Sequence, residues 1–224
     1  MPSLARRTAA EFLGTAILLA AVVGSGIMAQ RLSDGNVALA LLCNTLATGA
    51  ILPVIILIFG PVSGAHFNPA VSIGLALRRE LSWPMTGLYV TVQIVAAVIG
   101  AWLAHLMFEL PMWQISTTMR SGAGQWLAEA VATFGLLLTI FGCLARLPSA
   151  TPYAVGLYIT SAYWFTASTS FANPAVTIAR SLSNTFAGIA PSGLAAFIAA
   201  QMTGMVCAVL VAKWLWEPGS PQAS

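Results

Sequence analysis

The hexapeptide His66-Phe67-Asn68-Pro69-Ala70-Val71 decides how this chain folds, because it returns as Phe171-Ala172-Asn173-Pro174-Ala175-Val176. In both copies Asn-Pro-Ala opens a stretch readable as a short helix. Proline suits the first helical position, where it has no N–H to lose. The asparagine before it is a natural N-cap. Each copy is therefore a helix start, set inside a chain that otherwise reads as membrane. Two short helices with buried N-termini, at matching places in two halves, mark a substrate site near the bilayer midplane.

The membrane reading rests on composition. Hydrophobic residues make up 58% of the 224 and charged residues 7%, with a mean hydropathy of +0.88. Soluble domains carry about 25% charged residues, so this chain cannot clothe a soluble surface. Six spans of about 20–25 residues plus loops use most of its length. Arg6-Arg7 lead into a long apolar stretch containing Glu11, with no good cleavage site, so a removable signal peptide is not expected. The net charge of +3 does not point to nucleic acid, because the basic residues are distributed by membrane side, as set out below. Cys43, Cys143 and Cys207 lie apart within apolar spans. They read as small packing residues, with neither metal-ligand spacing nor a disulfide framework.

Spans are predicted at about 8–30, 37–59, 84–108, 125–144, 152–166 and 191–216. The run Gly60-Pro61-Val62-Ser63-Gly64-Ala65 is expected to break the second span, and Ser168-Thr169-Ser170 the fifth. The half-helices are expected at 68–77 and 173–184, and the tail 217–224 reads as disordered. The halves correspond in order. Ala10-Glu11-Phe12 pairs with Ala128-Glu129-Ala130, Asn68 with Asn173, and Tyr89…Gln93 with Phe197…Gln201. One domain built from repeats at about 1–108 and 125–216 follows. Three spans per half is odd, so the second half is inverted and one half-helix enters from each face. An even total puts both termini on one side. Arg6, Arg7, Arg78, Arg79, Arg146 and Lys213 share that side, leaving Arg31, Arg120 and Arg180 opposite. By the excess of Lys and Arg on inner loops, the first group and both termini are cytoplasmic.

These features together resemble the aquaporin (major intrinsic protein) family. The run Ser63-Gly64-Ala65-His66-Phe67-Asn68-Pro69-Ala70-Val71 is close to that family's first signature, and the resemblance covers nearly the whole chain. It implies an all-α membrane fold: a right-handed bundle of six tilted helices plus two re-entrant half-helices. It also implies a homotetramer with one pore per subunit, and no enzymatic activity or cofactor.

Site residues follow from the two sources together. Aligned peptide dipoles place about half a positive charge at each half-helix start. Two such ends meeting at the midplane repel cations and protons. The resemblance implies that the Asn68 and Asn173 amides face the pore and donate to a passing hydroxyl. Glu11 and Glu129 are intramembrane carboxylates, which need specific partners. The resemblance assigns each to bracing a re-entrant loop whose backbone water cannot satisfy; a proton relay is the alternative. His66, with no companion ligand, is expected to hydrogen-bond within its loop and line the inner vestibule.

One position departs from the family pattern. Water and glycerol channels of the family carry Arg directly after the second Asn-Pro-Ala, where this chain has Val176. Counting back without gaps places Thr48, Ser170 and Ser161 at the other filter positions, or Tyr163 instead of Ser161 if the alignment slips by two. Thr, Ser and Val there imply a filter wider than a water-only pore. Arg180, four residues after Val176, either faces the outer vestibule or points away, snorkelling to headgroups or pairing with a carboxylate.

The expected function is a passive channel for small uncharged solutes in a bacterial inner membrane. Its solutes would be arsenite- and antimonite-type metalloid hydroxides and glycerol-like polyols, as in bacterial aquaglyceroporin-like channels associated with arsenic resistance. The alternative is a general water and glycerol facilitator. An ion-coupled transporter would need coupling-ion ligands and a titratable midplane residue, where this chain offers amides. An interaction protein without transport would leave two intact motifs unused.

Overall fold

The structure is a computed structural model, and it describes residues 2–216. Eight α-helices follow in order: α1 (Leu4–Leu32), α2 (Val37–Ser63), α3 (Pro69–Leu77), α4 (Trp83–Met107), α5 (Ala123–Arg146), α6 (Thr151–Phe165), α7 (Pro174–Ser181) and α8 (Leu194–Trp216). Helix α1 starts where the Ser3 hydroxyl accepts from the Arg6 amide, and α2 where the side-chain Oδ1 of Asn36 accepts from the Leu39 amide at 3.0 Å. Among the described residues, five helices are long and apolar enough to cross a membrane. Helix α6 is shorter, at 15 residues. The one-turn 3₁₀ segment Pro148–Ala150 precedes it directly and extends its reach.

Most helix ends fall within a few residues of the sequence expectation, and two of the shifts bear on the re-entrant segments. Helix α2 does not break at Gly60-Pro61 but runs on to Ser63. Proline in a last turn removes only one backbone bond, which a membrane helix tolerates. The stop comes at Gly64, which takes φ 92°. Helix α7 ends at Ser181, short of the expected 184, because the chain folds back there. The Arg180 carbonyl then accepts from the amides of Ser183 and Ile189. The expected disordered tail, 217–224, lies outside the described residues.

The two halves pack alike. Helix α1 lies along α4 as α5 lies along α8, α2 meets α6 between the halves, and both half-helices are clasped by α4 and α8. Glycine permits the close crossings. A Cβ on Gly100 would lie 2.3 Å from the Ala16 carbonyl oxygen, and one on Gly204 2.2 Å from that of Ala130. Gly87, by contrast, has nothing within 4 Å of where a Cβ would stand. Leu13, Leu46, Leu57, Leu157 and Leu210 point outward and exposed, as they would into lipid. Trp113, Trp126 and Trp214 are exposed near element ends, the position of interfacial anchors.

Candidate functional site

The half-helices meet end to end. Each asparagine caps its own helix: Asn68 Oδ1 accepts from the Ala70 amide at 2.9 Å, and Asn173 Oδ1 from Ala175 at 3.0 Å and Val176 at 3.3 Å. Each also crosses to the other half. Asn68 Nδ2 donates to the Ala172 carbonyl and Asn173 Nδ2 to the Phe67 carbonyl, both at 2.8 Å. An amide carries two N–H groups, so one of each remains for the cavity that both residues line.

The loops leading into these helices are strained in the same places. Ala65 and Phe67 take positive φ (51° and 50°), as do Ser170 and Ala172 (50° and 48°). Left-handed non-glycine residues cost about 1–3 kcal/mol each and persist only where their surroundings impose them. The two buried glutamates impose them. Glu11 accepts from Ser63 Oγ (2.7 Å), the His66 amide (2.9 Å), the Phe67 amide (2.8 Å) and Gln93 Nε2 (2.8 Å). Glu129 accepts from the amides of Phe171 (2.8 Å) and Ala172 (2.9 Å) and from Gln201 Nε2 (2.6 Å). Gln93 and Gln201 donate onward to Ser72 Oγ and Thr177 Oγ1, the hydroxyls four residues after each asparagine. These amides mark the sequence repeat, but their part in the brace was not assigned from it. The available signal was an intramembrane amide at matched positions, paired with a hydroxyl at matched register.

The residue two before each asparagine stacks edge-on against the aromatic residue of the following long helix. His66 meets Tyr89 with centroids 5.2 Å apart, and Phe171 meets Phe197 at 5.3 Å. His66 also pairs through Nδ1 with Ser72 Oγ of α3 at 3.0 Å.

A cavity of about 130 Å3 threads the centre. Thr48, His66, Asn68, Ser170, Asn173, Val176 and Arg180, all singled out from sequence, line it together. Its other walls are largely apolar, from residues such as Leu52, Val71, Leu136 and Ile159. Glu11 and Glu129 stand behind the loops and do not line it.

Ser161 is a correction. It is exposed on the outer face of α6, and its hydroxyl donates back to the Tyr158 carbonyl at 2.8 Å. Tyr163 lines the cavity instead, buried, with its phenol donating to Thr48 Oγ1 at 3.3 Å. Positions two apart on a helix differ by about 200° around the axis, so only one of them can face inward. Arg180 does not snorkel: it is 2% exposed, its Nε donates to the Ala187 carbonyl, and its guanidinium carbon lies 3.3 Å from the Phe171 ring centroid.

A family model described as Major intrinsic protein matches residues 1–151. The chain belongs to the major intrinsic protein family. This major intrinsic protein is 55% identical over 218 residues to "Aquaglyceroporin AqpS" of Rhizobium meliloti (strain 1021), covering 97% of this chain and 93% of the relative. It is 30% identical over 170 residues to a "Probable glycerol uptake facilitator protein" of Thermotoga maritima, covering 68% and 71% of the two chains. The solved aquaglyceroporin of Plasmodium falciparum superposes with a TM-score of 0.74 over 96% of both chains at 22% identity, a likeness of fold. The chain is an integral membrane channel of this family and not an enzyme.

Proposed function

We propose that this major intrinsic protein is a passive channel for small uncharged hydroxylated solutes, chiefly glycerol-like polyols and the trihydroxides of arsenic and antimony. Val176 carries the reading: an apolar residue lines the cavity where water and glycerol channels of the family place an arginine. Thr48, Tyr163 and Ser170 supply hydroxyls to the lining, and Asn68 and Asn173 supply amides at the half-helix starts. The rest of the lining is largely apolar. A polyol or metalloid trihydroxide is small and neutral and hydrogen-bonds through hydroxyls, so it matches the polar lining without meeting a charge at Val176. The names of the relatives, an aquaglyceroporin and a glycerol uptake facilitator, support the glycerol part. Tyr163, a larger residue than the Ser161 first expected, favours water and glycerol as co-permeants.

The proposed assembly is a homotetramer in a bacterial inner membrane, each subunit enclosing its own pore. Both termini, with Arg6, Arg7, Arg78, Arg79, Arg146 and Lys213, are placed in the cytoplasm. Light scattering by vesicles carrying the purified protein tests the function, with water, glycerol, urea and arsenite as solutes. Val176→Arg adds a fixed charge with up to five donors. It is expected to cut glycerol and arsenite entry by about tenfold or more while water entry falls less. Equal entry of the larger solutes in the folded variant and the original overturns the assignment of Val176 to the constriction.

A further inference from the structure

Arg180 sits one helical turn beyond Val176, on the same face of α7. It lines the same cavity. Its guanidinium is held from two sides, by the Ala187 carbonyl and by the Phe171 ring. Arg120, from the loop between α4 and α5, lies over that ring as well, at 5.2 Å from its centroid. Arg120 is anchored by the Gly188 carbonyl at 2.9 Å and the Ser168 carbonyl at 3.4 Å. The ion pair among the described residues is Arg78–Glu80, so neither Arg120 nor Arg180 has a carboxylate oxygen within 4.0 Å. Glu129, behind the same loop, is occupied by two amides and Gln201.

Two polar atoms remain unused at this place. Arg180 Nη1 and Ser170 Oγ are buried and have no hydrogen-bond partner in the protein. Both residues line the cavity. A buried donor left unmade is costly, and an oxygen entering the cavity relieves that cost. Packing alone would not call for a guanidinium with an idle arm.

We infer that Arg180 is a specificity-determining residue of this channel. Its Nη1, with the Ser170 hydroxyl, hydrogen-bonds the oxygen of a neutral hydroxylated solute. The Arg120–Phe171–Arg180 stack holds the positive charge that excludes cations from a filter whose Val176 is apolar. The charge is thus retained, but moved one turn outward and seated on an aromatic face, where cation–π attraction offsets part of its desolvation. This inference rests on the pore reading above and deepens it.

The test uses vesicles carrying the full-length channel, with potassium leak and the glycerol-to-water permeability ratio read on the same preparations. In Arg180→Gln the leak is expected to rise about tenfold or more, and the ratio to fall. In Arg180→Lys the charge stays while the planar fork is lost, so the leak is expected to stay low while the ratio falls. Arg146→Gln, an exposed residue at the far end of α5, is the control. Variants that match the original protein in both leak and ratio overturn the inference. Should Arg180→Gln fail to insert, an unchanged ratio in Arg180→Lys is sufficient to do so. Original protein that passes neither water nor glycerol overturns the pore reading itself, a result distinguishable from failure of the Arg180 assignment.

Discussion

At the scale of single residues, the difference between Ser161 and Tyr163 shows what position along a helix decides. Ungapped counting from Asn173 gives Ser161, yet the connection from α6 to Asn173 spans residues 166–172, while that from α2 to Asn68 spans only 64–67. The two halves therefore reach their asparagines by unequal lengths, and spacing alone does not say which face of α6 turns inward. Val176 needed no such counting, because it follows Asn-Pro-Ala directly on a helix whose cap fixes its direction. Ser161 faces outward, so Ser161→Leu is expected to leave glycerol and water permeability within about twofold of the original. Tyr163→Ala removes the phenol donated to Thr48. It is expected to raise the permeability ratio of larger polyols to glycerol several-fold. Vesicle light scattering on both variants checks the pair. A larger change in Ser161→Leu than in Tyr163→Ala contradicts the placement of α6.

At the scale of elements, the two half-helices and their start points were legible because proline and asparagine write a helix N-terminus in a few letters. What holds those elements at the midplane was legible only in part. Glu11 and Glu129 were expected as braces because the family resemblance implies that role, while their residue type alone says only that an intramembrane carboxylate needs partners. Gln93, Gln201, Ser72 and Thr177 complete the brace through contacts between distant parts of the chain, which periodicity does not encode. Glu11→Ala would orphan the His66 and Phe67 amides, Ser63 Oγ and one Gln93 donor, each worth about 1–3 kcal/mol. The left-handed backbone at Ala65 and Phe67 would then lose its restraint. Thermal denaturation in detergent is expected to fall by about 5 °C or more for Glu11→Ala and for Glu129→Ala. The fall should be smaller for the glutamines, which keep one acceptor oxygen. Proton conductance in a stable alanine variant would instead identify a relay.

At the scale of the whole molecule, the pore exists because two inverted halves close on each other, by helix packing across the seam and by two hydrogen bonds at its centre. Asn68 reaches the Ala172 carbonyl and Asn173 reaches the Phe67 carbonyl, so each half caps its own helix and fastens the other's loop. Glu11 and Glu129 hold the carbonyls that receive these bonds, because Phe67 and Ala172 are the residues whose amides they bind. The arrangement is reciprocal, and reciprocity has a measurable signature. Distant independent sites add their effects, while residues that share a network interact by about 0.5–3 kcal/mol. Asn68→Ala and Asn173→Ala each remove a cap and a cross-bond, a loss of about 1–3 kcal/mol apiece. Once one asparagine is gone, the loop it fastened is free to shift away from the other. The second substitution then has less to lose. The double variant is therefore expected to be less destabilised than the sum of the singles, by at least about 0.5 kcal/mol. Denaturation midpoints of the original, both singles and the double give this quantity directly. Strict additivity would mean that the halves are held together by helix packing alone, with α4 and α8 clasping both half-helices and the asparagines acting only as caps.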